Sequence, residues 1–119
     1  MDTDASGRIH YTALFRHFEA AEFEFLRSMG CTYSSLDGSF PRVHVECDYL
    51  APLVCDDVIS TAVTIDRVGS TSFTLAFGVS VAGRAAAKGK ITVVCIDGKT
   101  KRPQPLPARL AGALQSYPN

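Results

Sequence analysis

The sequence predicts an α+β fold in which an antiparallel sheet curls round one long helix. Three observations carry this expectation: an apolar three-and-four spacing over residues 12–29, a strict alternation over 72–81, and tight-turn residues between successive β-branched runs. With 119 residues, the chain is expected to be a single domain, 1–119, that buries about two thirds of its unfolded surface.

From Thr12 to Met29, the residues Leu14, Phe15, Phe18, Ala21, Phe25, Leu26 and Met29 recur every three or four positions, while Arg16, Glu19, Glu22 and Arg27 fall mostly elsewhere. This is a helix with one broad apolar face. Gly30 is placed to stop it in the left-handed conformation. After a loop rich in Ser, Gly and Asp (34–39), Val43, Val45, Cys47 and Tyr49 alternate with Arg42, His44, Glu46 and Asp48, which is strand periodicity. Pro52 interrupts, Asp56 and Asp57 make a polar corner, and Val58 to Val68 is a second extended run. Gly69-Ser70-Thr71 reads as a hairpin turn. Phe73, Leu75, Phe77, Val79 and Val81 then take every second place, Ala82-Gly83 ends the strand, and a further run extends from Arg84 to Ile96. The tail is basic, then rich in proline, with a short helix expected from Ala108 to Gln115. One sheet face can wrap the helix, which leaves the other for a partner.

Composition excludes several classes. Twelve basic and twelve acidic residues cancel, so no nucleic acid or anionic membrane is expected as partner. No apolar run nears the roughly 20 residues needed for a membrane span. The four cysteines form no Cys-x-x-Cys pair and follow no secretory leader. They are expected to be reduced thiols of a cytoplasmic protein, mostly in the core. No His, Cys and carboxylate spacing suits a metal, and neither metal nor cofactor is expected.

The chemistry points to the beginning of the chain, where Asp2-Thr3-Asp4-Ala5-Ser6-Gly7-Arg8-Ile9-His10-Tyr11 leads into the helix. A helix N-terminus carries roughly half a positive charge and unpaired N–H groups, so it can polarise a carbonyl. Asp4 beside it could attack that carbonyl or take a proton from water. Alternatively, Asp4 is an ordinary helix cap. Gly7 suits a turn that approaches substrate closely.

The ordered set of Asp2-Thr3-Asp4-Ala5-Ser6-Gly7, His10-Tyr11, Phe15-Arg16-His17-Phe18-Glu19, Tyr49-Leu50-Ala51-Pro52, Asp56-Asp57-Val58, Val93-Val94-Cys95-Ile96-Asp97, Arg102-Pro103 and Leu106-Pro107 resembles the hotdog-fold acyl-CoA thioesterases. These belong to the 4-hydroxybenzoyl-CoA thioesterase superfamily, which includes a short-chain branch often found beside the Tol-Pal genes. The resemblance spans nearly the whole chain. It implies a sheet wrapped round a central helix and hydrolysis of an acyl thioester to free acid and thiol. Asp4 would be the catalytic carboxylate and the Tyr11 backbone N–H would point at the thioester carbonyl. Gly7, His10 and Glu19 are then expected at the substrate, Glu19 because some relatives use a helix carboxylate. Arg67 and Ser70 are expected at coenzyme A phosphates, with Lys88, Lys99, Lys101 and Arg102 weaker candidates.

Coenzyme A enters here as part of the substrate, and a homodimer or homotetramer is implied. Three departures stand out. Only Met1 precedes the motif where relatives carry a strand, His10-Tyr11 reverses the Tyr-His of the Tol-Pal branch, and the turn after the second long strand lacks the basic cluster of some relatives. The last departure leaves an acyl-carrier-protein thioester as an alternative substrate. A non-catalytic module that binds acyl thioesters is the reading from another class.

Overall fold

A computed structural model describes residues 11–51 and 58–117. The expectations for Asp4, Gly7 and His10, and for the corner at Pro52 and Asp56-Asp57, lie outside the described residues.

The elements in chain order are helix α1 (Tyr11–Ser28), a 3-10 turn (Tyr33–Ser35), strands β1 (Arg42–Tyr49), β2 (Ile59–Val68), β3 (Ser72–Val81) and β4 (Arg84–Val94), and helix α2 (Ala108–Ser116). The strands form one antiparallel sheet in the order β1-β4-β3-β2. Consecutive hairpins join β2, β3 and β4, and β1 adds to the far side of β4.

Local chemistry explains the boundaries. Gly30 takes φ +75 and the Cys31 N–H donates back to the Leu26 carbonyl at 2.9 Å, which closes the end of α1. Ala82 and Gly83, at φ +52 and +78, make the two-residue turn between β3 and β4. The last strand stops at Val94, earlier than the Ile96 expected from sequence. Ile96 instead makes single bridges to Ser39 and Pro103, because the chain turns there to start its tail.

The alternation in β3 has the predicted outcome: Phe73, Leu75, Phe77 and Val79 are buried against α1, with Leu14, Phe18 and Leu26 among the buried residues of the helix. Thr74 points the other way and shares a hydrogen bond with Thr92 at 2.8 Å. Phe18 stacks on Phe77 with ring centroids 4.8 Å apart.

Gly89 on β4 makes this close approach possible. A Cβ there would collide with the Phe18 ring and lie 2.6 Å from the Glu46 carbonyl oxygen. Neither neighbour can yield freely, one being a core ring and the other backbone. Gly89→Ala is therefore expected to cost about 1–3 kcal/mol in urea unfolding. An unchanged midpoint would show that the helix can lift off the sheet at no cost.

Candidate active site

Three contacts fix the direction in which α1 crosses the sheet. Phe18 sits over the Phe77 and Gly89 row near mid-strand. At the helix's far end, Arg109 Nη2 donates to the Gly30 carbonyl at 2.6 Å. Leu106, three residues before Arg109, donates its N–H to the Ser70 carbonyl at 2.8 Å. The C-terminal end of α1 therefore lies at the β2–β3 turn. Its N-terminal end, about 27 Å away for 18 residues, projects toward the opposite end of the sheet.

That opposite end carries the Ala82-Gly83 turn and the last residues of β1. It also presents apolar groups to solvent: Tyr49 is 44% exposed, Leu50 53% and Val58 81%. In the sequence Tyr49 and Leu50 mark a strand end and belong to a segment that carries the family resemblance, with no role at the site assigned to them. Their exposure at the end where the helix tip points makes them candidates to line an apolar acyl site.

Tyr11 is the first residue of α1, one residue before the Thr12 expected from sequence, so its N–H is among the four that a helix leaves unpaired within itself. Glu19 is exposed on the same helix, about 12 Å along the axis from Tyr11. Its charge acts on Arg42, which places it toward the β1 side. Arg67 and Ser70 are both exposed, Arg67 opposite Thr74 next to an irregularity in β2. They share the end of the sheet where α1 finishes. Within one chain, then, Arg67 and Ser70 do not converge on Tyr11, and they could meet a substrate at that N–H only across a boundary between chains.

A buried charge cluster lies near the other end of α1. Glu22, expected on the polar side of the helix, is completely buried. Its Oε1 accepts from Arg42 Nη2 at 2.7 Å and Nε at 3.1 Å, and its Oε2 accepts a short hydrogen bond from the Tyr33 hydroxyl. The Arg42 guanidinium also lies over the rings of Phe23 and Tyr33, 5.7 and 5.9 Å from their centroids. Burial, then the Glu22 charge and hydrogen bond, hold the Tyr33 hydroxyl far above its ordinary pKa. Burial works against the Arg42 charge, but the hydrogen bonds and charge of Glu22 outweigh it and raise the guanidinium pKa. An apolar cleft of about 270 Å³ opens beside Tyr33, between Phe23, Leu26 and Thr32.

Among the described cysteines, Cys31 and Cys95 are buried and Cys47 is half-buried, all as free thiols. Burial and the neighbouring Asp48 push the Cys47 thiol upward, away from a reactive thiolate. Cys55 lies outside the described residues. Among the described residues, no group of three or more His, Cys, Asp or Glu side chains is placed to hold a metal, and no helix is long and apolar enough to cross a membrane.

One long helix cradled by an antiparallel sheet, with its amide tip at the sheet's end, is the hotdog architecture. Residues 1–114 match the family model of the thioesterase-like superfamily. The chain is 32% identical to the 1,4-dihydroxy-2-naphthoyl-CoA hydrolase of Synechococcus sp. (strain RCC307), over 97% of this chain and 94% of that one. Among solved structures, a 1,4-dihydroxy-2-naphthoyl-CoA thioesterase from Synechocystis is similar with a TM-score of 0.90 at 25% identity, covering 98% of this chain and 91% of that one. A gentisyl-coenzyme A thioesterase follows with a TM-score of 0.84 at 27% identity, covering 95% and 91%. The chain belongs to the thioesterase-like superfamily, and its activity in the broad sense is that of an acyl-CoA thioester hydrolase.

Proposed function

We propose that this single-domain chain hydrolyses the thioester of an aromatic, hydroxylated acyl-CoA, with 1,4-dihydroxy-2-naphthoyl-CoA the first substrate to test. The observation that carries this reading is the 32% identity to a hydrolase of that thioester, which extends over 97% of this chain. The gentisyl-coenzyme A thioesterase supports the same class, because its acyl group is also a dihydroxylated aromatic.

In this reading the Tyr11 N–H, backed by the α1 dipole, donates to the thioester carbonyl oxygen as negative charge grows there. The Asp4 carboxylate either attacks the carbonyl carbon and expels the coenzyme A thiolate, or takes a proton from the water that attacks. In the first route water then cleaves the mixed anhydride. Both routes consume one water and release one acid and one thiol. Gly7 and His10 border the reacting group, and the exposed Tyr49, Leu50 and Val58 offer an apolar bed for the ring. The protein acts as a homodimer or a homotetramer in the cytoplasm. Glu19, Arg67 and Ser70 are brought to a substrate held mainly by another copy.

The test is a panel of acyl-CoAs: 1,4-dihydroxy-2-naphthoyl, gentisyl, benzoyl, phenylacetyl and straight chains of increasing length. The kcat/KM for the two dihydroxylated aromatics is expected to exceed that for any straight chain by at least about tenfold, a difference of roughly 1.4 kcal/mol in transition-state binding. Faster hydrolysis of straight chains would overturn the aromatic assignment, and a chain that cleaves none would leave a binding module.

A further inference from the structure

Near the Ala82-Gly83 turn, one row of side chains on the helix side of the sheet runs Tyr49, Ala87, Val79 and Thr61, one from each strand in spatial order. Ala87 and Val79 are buried, so the row faces the core, yet Tyr49 at its β1 end stays open to solvent.

The backbone around Tyr49 is firmly held. Val79 and Ser80 of β3 pair with Ala87 and Ala85 of β4, which leaves Ala86 between them as a bulge. The Ala86 carbonyl accepts from the Leu50 and Ala51 N–H groups at 2.9 and 3.1 Å. The chain leaving β1 is thus fixed just after Tyr49, by a feature that often re-aims side chains beside active sites.

The path of α1 leads its tip to the same strand. Phe25 shares a cleft with Thr61 and Val63 of β2, whereas Phe18, seven residues earlier, stacks on Phe77 of β3 and closes on Gly89 of β4. Over about 10 Å of helix, the contacts move about one and a half strand spacings toward β1, roughly 7 Å. A second step of that size sets the Tyr11 end of α1 by β1.

Among the described residues, the Tyr49 hydroxyl has no hydrogen-bond partner. Partial burial, and then the neighbouring Cys47, raise its pKa above the ordinary value. It is therefore protonated at neutral pH, able both to donate and to accept.

We propose that Tyr49 is a specificity-determining residue whose hydroxyl hydrogen-bonds a ring hydroxyl of the acyl group. This rests on the hydroxylated aromatic acyl-CoA reading given above and adds the side chain that reads the hydroxyl. Ala87 and Leu50 offer only apolar surface, which holds a bare ring and a hydroxylated one about equally. The Tyr49 oxygen breaks that tie, because a bare ring would take water from it and give no partner in return.

Tyr49→Phe tests this, since it keeps the ring and removes only the oxygen. The readout is the ratio of kcat/KM for gentisyl-CoA to that for benzoyl-CoA, in the native chain and in the variant. The ratio is expected to exceed one in the native chain and to fall by about three- to tenfold in Y49F, the usual worth of one neutral hydrogen bond. Tyr49→Leu, which also lacks the oxygen, should lower the ratio in the same way. A native preference for gentisyl-CoA that both variants keep, whether their two rates fall together or not at all, would overturn the role of Tyr49 while leaving the aromatic reading intact. A native ratio near one would do the same. A native chain that cleaves straight-chain thioesters faster than either aromatic, or cleaves no thioester, would overturn both.

Discussion

Asp4→Asn is expected to lower kcat by roughly 10²–10⁴, the usual worth of a positioned acid-base group, with little change in KM for the preferred acyl-CoA. The substitution is chosen because it separates the two readings of this residue. Asparagine accepts the same local backbone hydrogen bonds as aspartate in a cap or turn, so a carboxylate with a merely structural part in the segment before α1 would be replaced with little loss of stability or rate. An amide can neither attack a thioester nor accept a proton from water. The pH profile adds a second readout. The native enzyme should lose activity as a carboxylate protonates at low pH, and the residual activity of the variant should lack that limb. Full activity in Asp4→Asn, with the acid limb intact, would remove this residue from the mechanism. The Tyr11 donor is backbone and escapes side-chain substitution, which leaves Asp4 as the direct test of the site.

The largest loss of stability is expected at Glu22. Its carboxylate is completely buried and accepts from both Arg42 and Tyr33, so it ties α1 to the segment after it and to the start of β1. Glu22→Ala would strip the Tyr33 hydroxyl and the Arg42 guanidinium of the carboxylate to which both donate. Breaking one side of a buried ion pair costs about 3–5 kcal/mol. The Arg42 side chain is 27% exposed and can regain some water, which favours the lower part of that range. For a chain of this size the melting midpoint should fall on the order of 10–20 °C. Glu22→Met with Arg42→Met should recover much of it, because two apolar groups leave no charge stranded. A Glu22→Ala protein melting within two degrees of the native one would show that the cluster stores no stability. The comparison requires calorimetry on all three proteins at one pH.

Much of the architecture was legible because one face of each element is apolar at the period of that element. The helix expected from Thr12 to Met29 matches the observed Tyr11–Ser28 within a residue at each end, and Gly30 ends it as a glycine at positive φ should. The alternations of β1 and β3 fall on Arg42–Tyr49 and Ser72–Val81. Glu22 was misplaced for a physical reason. A helical wheel assigns charge to solvent, and nothing local to 19–25 announces that Tyr33 and Arg42 will arrive from other elements to neutralise it. Arg67 and Ser70 show the same blindness at longer range. Their place near a turn was readable, but which end of α1 that turn adjoins depends on the contacts Leu106–Ser70 and Arg109–Gly30, separated by 36 and 79 positions in the chain. The start of the helix was visible to within a residue, since Tyr11 begins α1; the motif before it lies outside the described residues.

The Arg109 clasp on Gly30 has a mechanical meaning. The helix is a stiff lever held near its rear, and each degree of tilt about that end swings its front by about half an ångström over its roughly 27 Å length. Catalytic alignment tolerates little of this, since a displacement of about 1 Å can cost on the order of 10² in rate. In the proposed mechanism the segment that carries Arg109 thus acts as a gunsight for the Tyr11 end of the helix, and loosening that rear mount should register as slowed turnover before it registers as a lower melting point.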